Sequence, residues 1–143
     1  MLKKQILSLA LIVCLAFPCA LTANAQAGNA QTGSTVVPYW SYTSSTRIGL
    51  TISAAGSATC EGVITGYQGI TTKVSIYLYL QQYKNGNWTT INSWYNSFNS
   101  YRGSLAATAI VAKGYQYRVM ASYYAYSGTN YENIVDYSDN VIY

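Results

Sequence analysis

Between Lys73 and Gln81 the chain reads Lys-Val-Ser-Ile-Tyr-Leu-Tyr-Leu-Gln, a pattern that fits a strand and no helix. Val74, Ile76, Leu78 and Leu80 fall on one side of a pleated strand, and Ser75, Tyr77, Tyr79 and Gln81 on the other. This period-two alternation marks a strand with one buried face. Lys84-Asn85-Gly86-Asn87 follows directly. Asn-Gly is the strongest short hairpin signal, because both turn positions tolerate positive φ. Trp88 to Tyr95 is then the returning strand.

Similar runs recur along the chain. Arg47–Ile52 and Ala58–Tyr67 flank Ala54-Ala55-Gly56, and Tyr101–Val111 carries Leu105, Ala107, Ala109 and Val111 in phase. Lys113-Gly114 turns the chain into a long strand starting at Tyr115, which breaks at Ser127-Gly128-Thr129-Asn130 before a last run, Tyr131–Ile142. The chain holds 16 Tyr and 3 Trp, residues that suit a half-buried pleated surface. These features predict an all-β fold: a single antiparallel β-sandwich of about seven strands.

The N-terminus has a different character. Lys3 and Lys4 precede an apolar run from Ile6 to Leu21, and Ala23-Asn24-Ala25 supplies the small-x-small pattern of a signal-peptidase site. This predicts a signal peptide over residues 1–25 and a secreted, extracellular protein. The apolar run is short for a membrane span and is interrupted by Pro18, so no stable membrane insertion is expected after cleavage. Residues 26–44, rich in Gln, Ala, Gly, Ser and Thr, read as a flexible leader, and residues 45–143 as the domain.

Removing the signal peptide leaves Cys60 as the one cysteine, so no internal disulfide framework is expected. Neither signal-peptide cysteine follows the small residue that lipid attachment needs, since Val13 precedes Cys14 and Pro18 precedes Cys19. The cations left are Arg47, Lys73, Lys84, Arg102, Lys113 and Arg118, against Glu61, Glu132, Asp136 and Asp139, a formal balance of +2. They are spaced singly and lack the clustered basic footprint of a nucleic-acid binder.

The chain has no histidine. That excludes Ser-His-Asp and Cys-His catalysis and the usual zinc and copper sites. Cys60, with Ala58 and Ile64 nearby, is expected to face inward as an unreactive thiol. Glu132, Asp136 and Asp139 read as solvating charges on and beside the last strand; they lack the spacing of a calcium loop. Neither a metal nor a cofactor is expected.

A resemblance joins these readings. Gly114-Tyr115-Gln116-Tyr117-Arg118-Val119-Met120-Ala121 resembles the Gly-x-x-Tyr-x-x-x-Val strand of fibronectin type III and immunoglobulin-like sandwiches. The resemblance implies that Tyr115 or Tyr117 folds back to bond a backbone carbonyl. Cys60 matches the first core cysteine of an immunoglobulin domain, but Tyr117 or Val119 stands where its partner would be, which favours the fibronectin-like version. The chain beyond the leader also resembles small tyrosine-rich proteins exported by Gram-positive bacteria. Sandwiches of this kind serve many unrelated functions.

The aromatic side of the sheet is the expected functional surface. Tyr77 and Tyr79 share a face, and in the resembling folds the Tyr115 strand lies beside them. With Val119 and Ala121 inward, Arg118, Ser122 and Tyr124 point out next to those tyrosines. Trp88 and Trp94 lie one strand away, and their shared phase leaves open whether they join this face or the core. A non-enzymatic binding module contacting a glycan or a protein through Tyr77, Tyr79, Arg118 and Tyr124 is the leading expectation, because each ring offers large contact area at low entropy cost. The competing expectations are a hydrolase using Glu61 with Glu132 or Asp136, and a structural protein that self-associates through sheet edges.

Overall fold

The computed structural model describes residues 39–143; the expected signal peptide and residues 26–38 of the expected leader lie outside them. The described residues contain no helix. The strands are β1 (Thr43–Ile52), β2 (Ser57–Gly66), β3 (Lys73–Lys84), β4 (Asn87–Phe98), β5 (Arg102–Ile110), β6 (Gln116–Ser127), β7 (Asn130–Tyr137) and β8 (Val141–Ile142). They form a small sheet in the order β1-β2-β5 and a larger one in the order β4-β3-β6-β7, with β8 also paired to β6. Every pairing is antiparallel. The expected all-β sandwich is present.

Strand boundaries differ from the sequence reading in two informative places. β1 begins at Thr43 rather than Arg47, with a register shift between Thr43 and Ser45. Glu132 on β7 holds this entry, its two carboxylate oxygens each accepting a hydrogen bond at 2.9 Å, from the amides of Ser41 and Tyr42. The expected final strand is divided. β7 ends at Tyr137, Ser138 exchanges hydrogen bonds with the backbone of Val119, and β8 resumes along Gln116 and Tyr117.

The inward faces interdigitate small residues with large ones. The small sheet contributes Ala58, Cys60, Gly62 and Ile64 from β2, and Leu105 and Ala109 from β5. The large sheet answers with Ile76, Leu78, Leu80, Tyr117, Val119 and Tyr123, all fully buried. Gly62 is one point of close approach between the sheets. A Cβ there would stand 2.8 Å from Leu78 Cδ2 and 3.1 Å from the Tyr123 hydroxyl, so only glycine lets the two sheets close at this point.

Two buried tyrosines tie the core together. Tyr123 reaches across the sandwich from β6 and donates its hydroxyl proton to the Arg47 carbonyl of β1 at 2.8 Å. Tyr117 turns back and donates to the Ala112 carbonyl at 2.8 Å, while its oxygen accepts from Gln82 Nε2 at 2.9 Å. The bond expected from Tyr115 or Tyr117 to a backbone carbonyl is therefore made by Tyr117. Both hydroxyls are satisfied, as buried polar groups must be.

Cys60 faces inward, as expected, and is fully buried. Burial pushes its thiol up from the ordinary 9.0 to about 12. Tyr123 is also raised, by burial first and by Asp136 second. Both groups are neutral when protonated and ionise more readily in the unfolded chain. Their contribution to stability is present below the unfolded thiol's value of about 9.0 and is lost as pH rises toward about 12. Urea midpoints are expected to hold below that lower value and fall steadily above it. Cys60 is expected to resist thiol reagents until the protein is unfolded.

Candidate functional site

The outward face of β4-β3-β6-β7 carries the aromatic surface. Strand pairing sets Tyr77 of β3 between Tyr95 of β4 and Ser122 of β6, and Tyr79 between Ser93 and Met120. On the far side of β6, Tyr124 lies opposite Asn133 and Tyr126 opposite Tyr131 of β7. Alternation along each strand puts these side chains on one surface.

The rings form a connected row at one end of the sheet. Tyr95 and Tyr77 have centroids 4.5 Å apart, and Tyr77 meets Tyr124 edge-on at 5.8 Å. Tyr124, Tyr126 and Tyr131 complete a triangle with sides of 6.3, 5.7 and 5.8 Å. These are separations at which aromatic pairs attract beyond their burial, by about 0.5–1.5 kcal/mol each. Lys73 extends over Tyr126 at 5.1 Å. Tyr131 is 61 % exposed and Tyr95 53 %, so the row is open at both ends, with Tyr77, Tyr124 and Tyr126 half-buried between them. Tyr77 is raised from its ordinary phenol value by desolvation and the neighbouring tyrosines, whereas the Ser75 and Ser97 hydroxyls lower Tyr95.

The other end of the sheet is built around Arg118. Its guanidinium lies 4.2 Å from the ring centre of Trp88 and 4.4 Å from that of Tyr137. Its Nε donates to Gln81 Oε1 at 2.8 Å. Tyr83 packs beside Trp88 at 5.1 Å. The charge is thus held in place by stacking and one hydrogen bond.

The four expected site residues, Tyr77, Tyr79, Arg118 and Tyr124, all lie on this face. Tyr77 and Tyr124 touch, while Tyr79 and Arg118 extend the surface toward the other end. The sequence reading missed Tyr83, Tyr95, Tyr126, Tyr131 and Tyr137. It also left the two tryptophans unresolved, and a β-bulge separates them. Gln81 pairs with Thr90 but Leu80 with Asn92, so Ile91 is an extra residue in β4. Trp94 then faces inward opposite Leu78, while Trp88 faces outward opposite Tyr83.

The carboxylates proposed for hydrolysis do not converge. Glu61 is exposed on the outward face of the small sheet, lining a depression of about 230 Å³ with Arg47, Ile48, Gly49 and Val63. Glu132 and Asp136 lie on the side of β7 turned toward the core, with Glu132 engaged by two backbone amides. A hydrolytic pair needs two carboxyl groups flanking one bond. Among the described residues, no group of three His, Cys, Asp or Glu is placed to hold a metal ion. Nor is any described helix long and apolar enough to cross a membrane.

No family model matches the chain, and no curated protein matches it. Among solved structures it is similar to the solution structure of CsgH from R. palustris, with a TM-score of 0.38 and 15% identity over 68% of this chain and 89% of that one. A likeness this distant leaves the geometry of the surface itself to carry the functional reading.

Proposed function

We propose that this is an exported, non-enzymatic binding module that holds a glycan chain along the outward face of β4-β3-β6-β7. The observation that carries the reading is the connected tyrosine row from Tyr95 through Tyr77 and Tyr124 to Tyr126 and Tyr131. Sugar rings present flat C–H faces that stack on such rings, and their hydroxyls need hydrogen-bond partners close by. Ser93, Thr90, Gln81, Ser122 and Asn133 are interspersed among the aromatics on the same face. The aromatics run across the strands of one open sheet face, an arrangement that suits an extended polymer better than a small molecule.

The domain is a fibronectin-type-III-like sandwich in this reading. Support comes from the division into a three-stranded and a larger sheet and from the Tyr117 bond back to Ala112. Export rests on the N-terminal sequence, Lys3-Lys4 through Ala25. Tyr77 and Tyr79 lie mid-sheet and contact the ligand, Tyr124 extends the row, and Arg118 orients a polar or anionic substituent.

A glycan array probed with the protein, and with the Tyr77→Ala/Tyr79→Ala double variant, tests this. Specific glycans are expected to bind, and the variant is expected to bind them about tenfold to a hundredfold less tightly, corresponding to about 1.4 kcal/mol per tenfold. Absence of any bound glycan, or equal binding by the variant, would overturn the sugar reading; a protein partner would then be the occupant to seek.

A further inference from the structure

Four long strands form sheet edges among the described residues: β1 and β5 in the small sheet, β4 and β7 in the large one. An edge strand exposes unpaired backbone groups that recruit other strands unless charge, proline or a bulge prevents it. Three of the four carry such a device. β7 contains Glu132 and Asp136, β1 has Arg47 near its middle and a register shift after Thr43, and β4 has the Ile91 bulge.

β5 has none. Its sequence, Arg-Gly-Ser-Leu-Ala-Ala-Thr-Ala-Ile, has no proline, and its one charge sits at the first position. Its pairing with β2 runs without a shift from Arg102 to Ile110. We infer that β5 pairs antiparallel with β5 of a second copy of this chain, about a two-fold axis at Ala106, so that two small sheets become one continuous sheet.

The occupant is a second copy because the edge complements itself in that register. Ala106 faces Ala106, Leu105 faces Ala107, Ser104 faces Thr108 and Gly103 faces Ala109, so no bulky or like-charged pair meets. Arg102 faces Ile110. Ile110 is 78 % exposed, an unusual state for a large aliphatic at a strand end. At the Arg102 end of the same strand, Val63, Ile64, Phe98 and Gly103, together with Arg102 itself, line a groove of about 460 Å³. Pairing carries each Ile110 to the mouth of the other copy's groove. The contact is isologous and closes at two copies, the commonest form of assembly. It uses the small sheet, on the other side of the sandwich from the tyrosine-rich face, so pairing and ligand binding are separable.

The test is sedimentation velocity of the purified protein across a concentration series, with Ala106→Lys, Ala106→Glu and an equimolar mixture of the two variants. Ala106 is exposed, so both variants are expected to keep the native circular dichroism spectrum. The unaltered protein should pass from monomer to dimer and stop there. Each variant alone should dimerise at least about tenfold more weakly, since like charges directly opposite are destabilising. The mixture should recover the dimer, because lysine then faces glutamate. Four results overturn the inference: a monomer up to about 1 mM, a dimer unaffected by either substitution, growth beyond the dimer without a plateau, or a mixture that stays monomeric.

Discussion

Replacing Tyr123 with alanine is expected to cost about 3–5 kcal/mol, the range for truncating a fully buried aromatic side chain. The ring is completely enclosed, and its hydroxyl is the bolt between β6 and the Arg47 carbonyl of β1. Loss of the ring opens a cavity beneath Gly62, where Leu78 alone cannot fill the space. For a domain of this size each kcal/mol lowers the melting point by roughly 4 °C or more, so a fall of at least about 12 °C is expected by circular dichroism. Tyr123→Phe separates the two contributions. It keeps the ring and removes the bond, leaving a backbone acceptor unpaired at a cost of about 1–3 kcal/mol. Equal losses in the two variants would mean that the hydroxyl, and not the packed ring, holds the sheets together.

The second large effect comes from the opposite change at the same contact. Gly62→Val adds a branched side chain where even a Cβ meets Leu78 Cδ2 at 2.8 Å. Both neighbours belong to the large sheet and are fully buried, so neither can swing into solvent. Overpacking of this kind costs about 1–3 kcal/mol for a single methyl-scale insertion, and a branched residue is expected to reach the top of that range or pass it. Urea unfolding should show the loss in the midpoint with little change in slope. Adding Leu78→Ala to Gly62→Val frees the space, so the pair should be less destabilised than the sum of the singles. Strict additivity would show that the sheets meet elsewhere.

How much of this was legible in the sequence depended on whether each feature was local. The alternation at Val74–Gln81 and the Asn85-Gly86 turn were local signals. The turn has the positive φ values that its sequence demands, 53° and 80°. The outward placement of Arg118 and Tyr124 followed from the same alternation once Val119 was set inward, and β6 bears it out. The Tyr117 bond to Ala112 spans five residues and was readable as one of two options.

The aromatic row was not readable, because it depends on register between strands. An unbroken hairpin register from Asn85-Gly86 would place Trp94 opposite Tyr77. The extra residue Ile91 instead puts Tyr95 there and sends the two tryptophans to opposite faces. Nothing in Thr89-Thr90-Ile91-Asn92 announces a bulge. Tyr131 and Tyr137 joined the face through pairing between β6 and β7, and the break at Ser138 was hidden inside a run that looked continuous. The fates of Glu61 and Glu132 were equally non-local, since one faces outward on the small sheet and the other captures the entering chain.

Ligand placement is tested most directly by following backbone amide shifts by NMR while titrating in a glycan identified on the array. The expected result is a contiguous set of perturbed amides on β3, β4, β6 and β7, centred on Tyr77, Tyr79, Ser122 and Tyr124 and reaching Arg118. Perturbations confined to β1, β2 and β5, or scattered over both sheets, would contradict a ligand lying across the tyrosine-rich face.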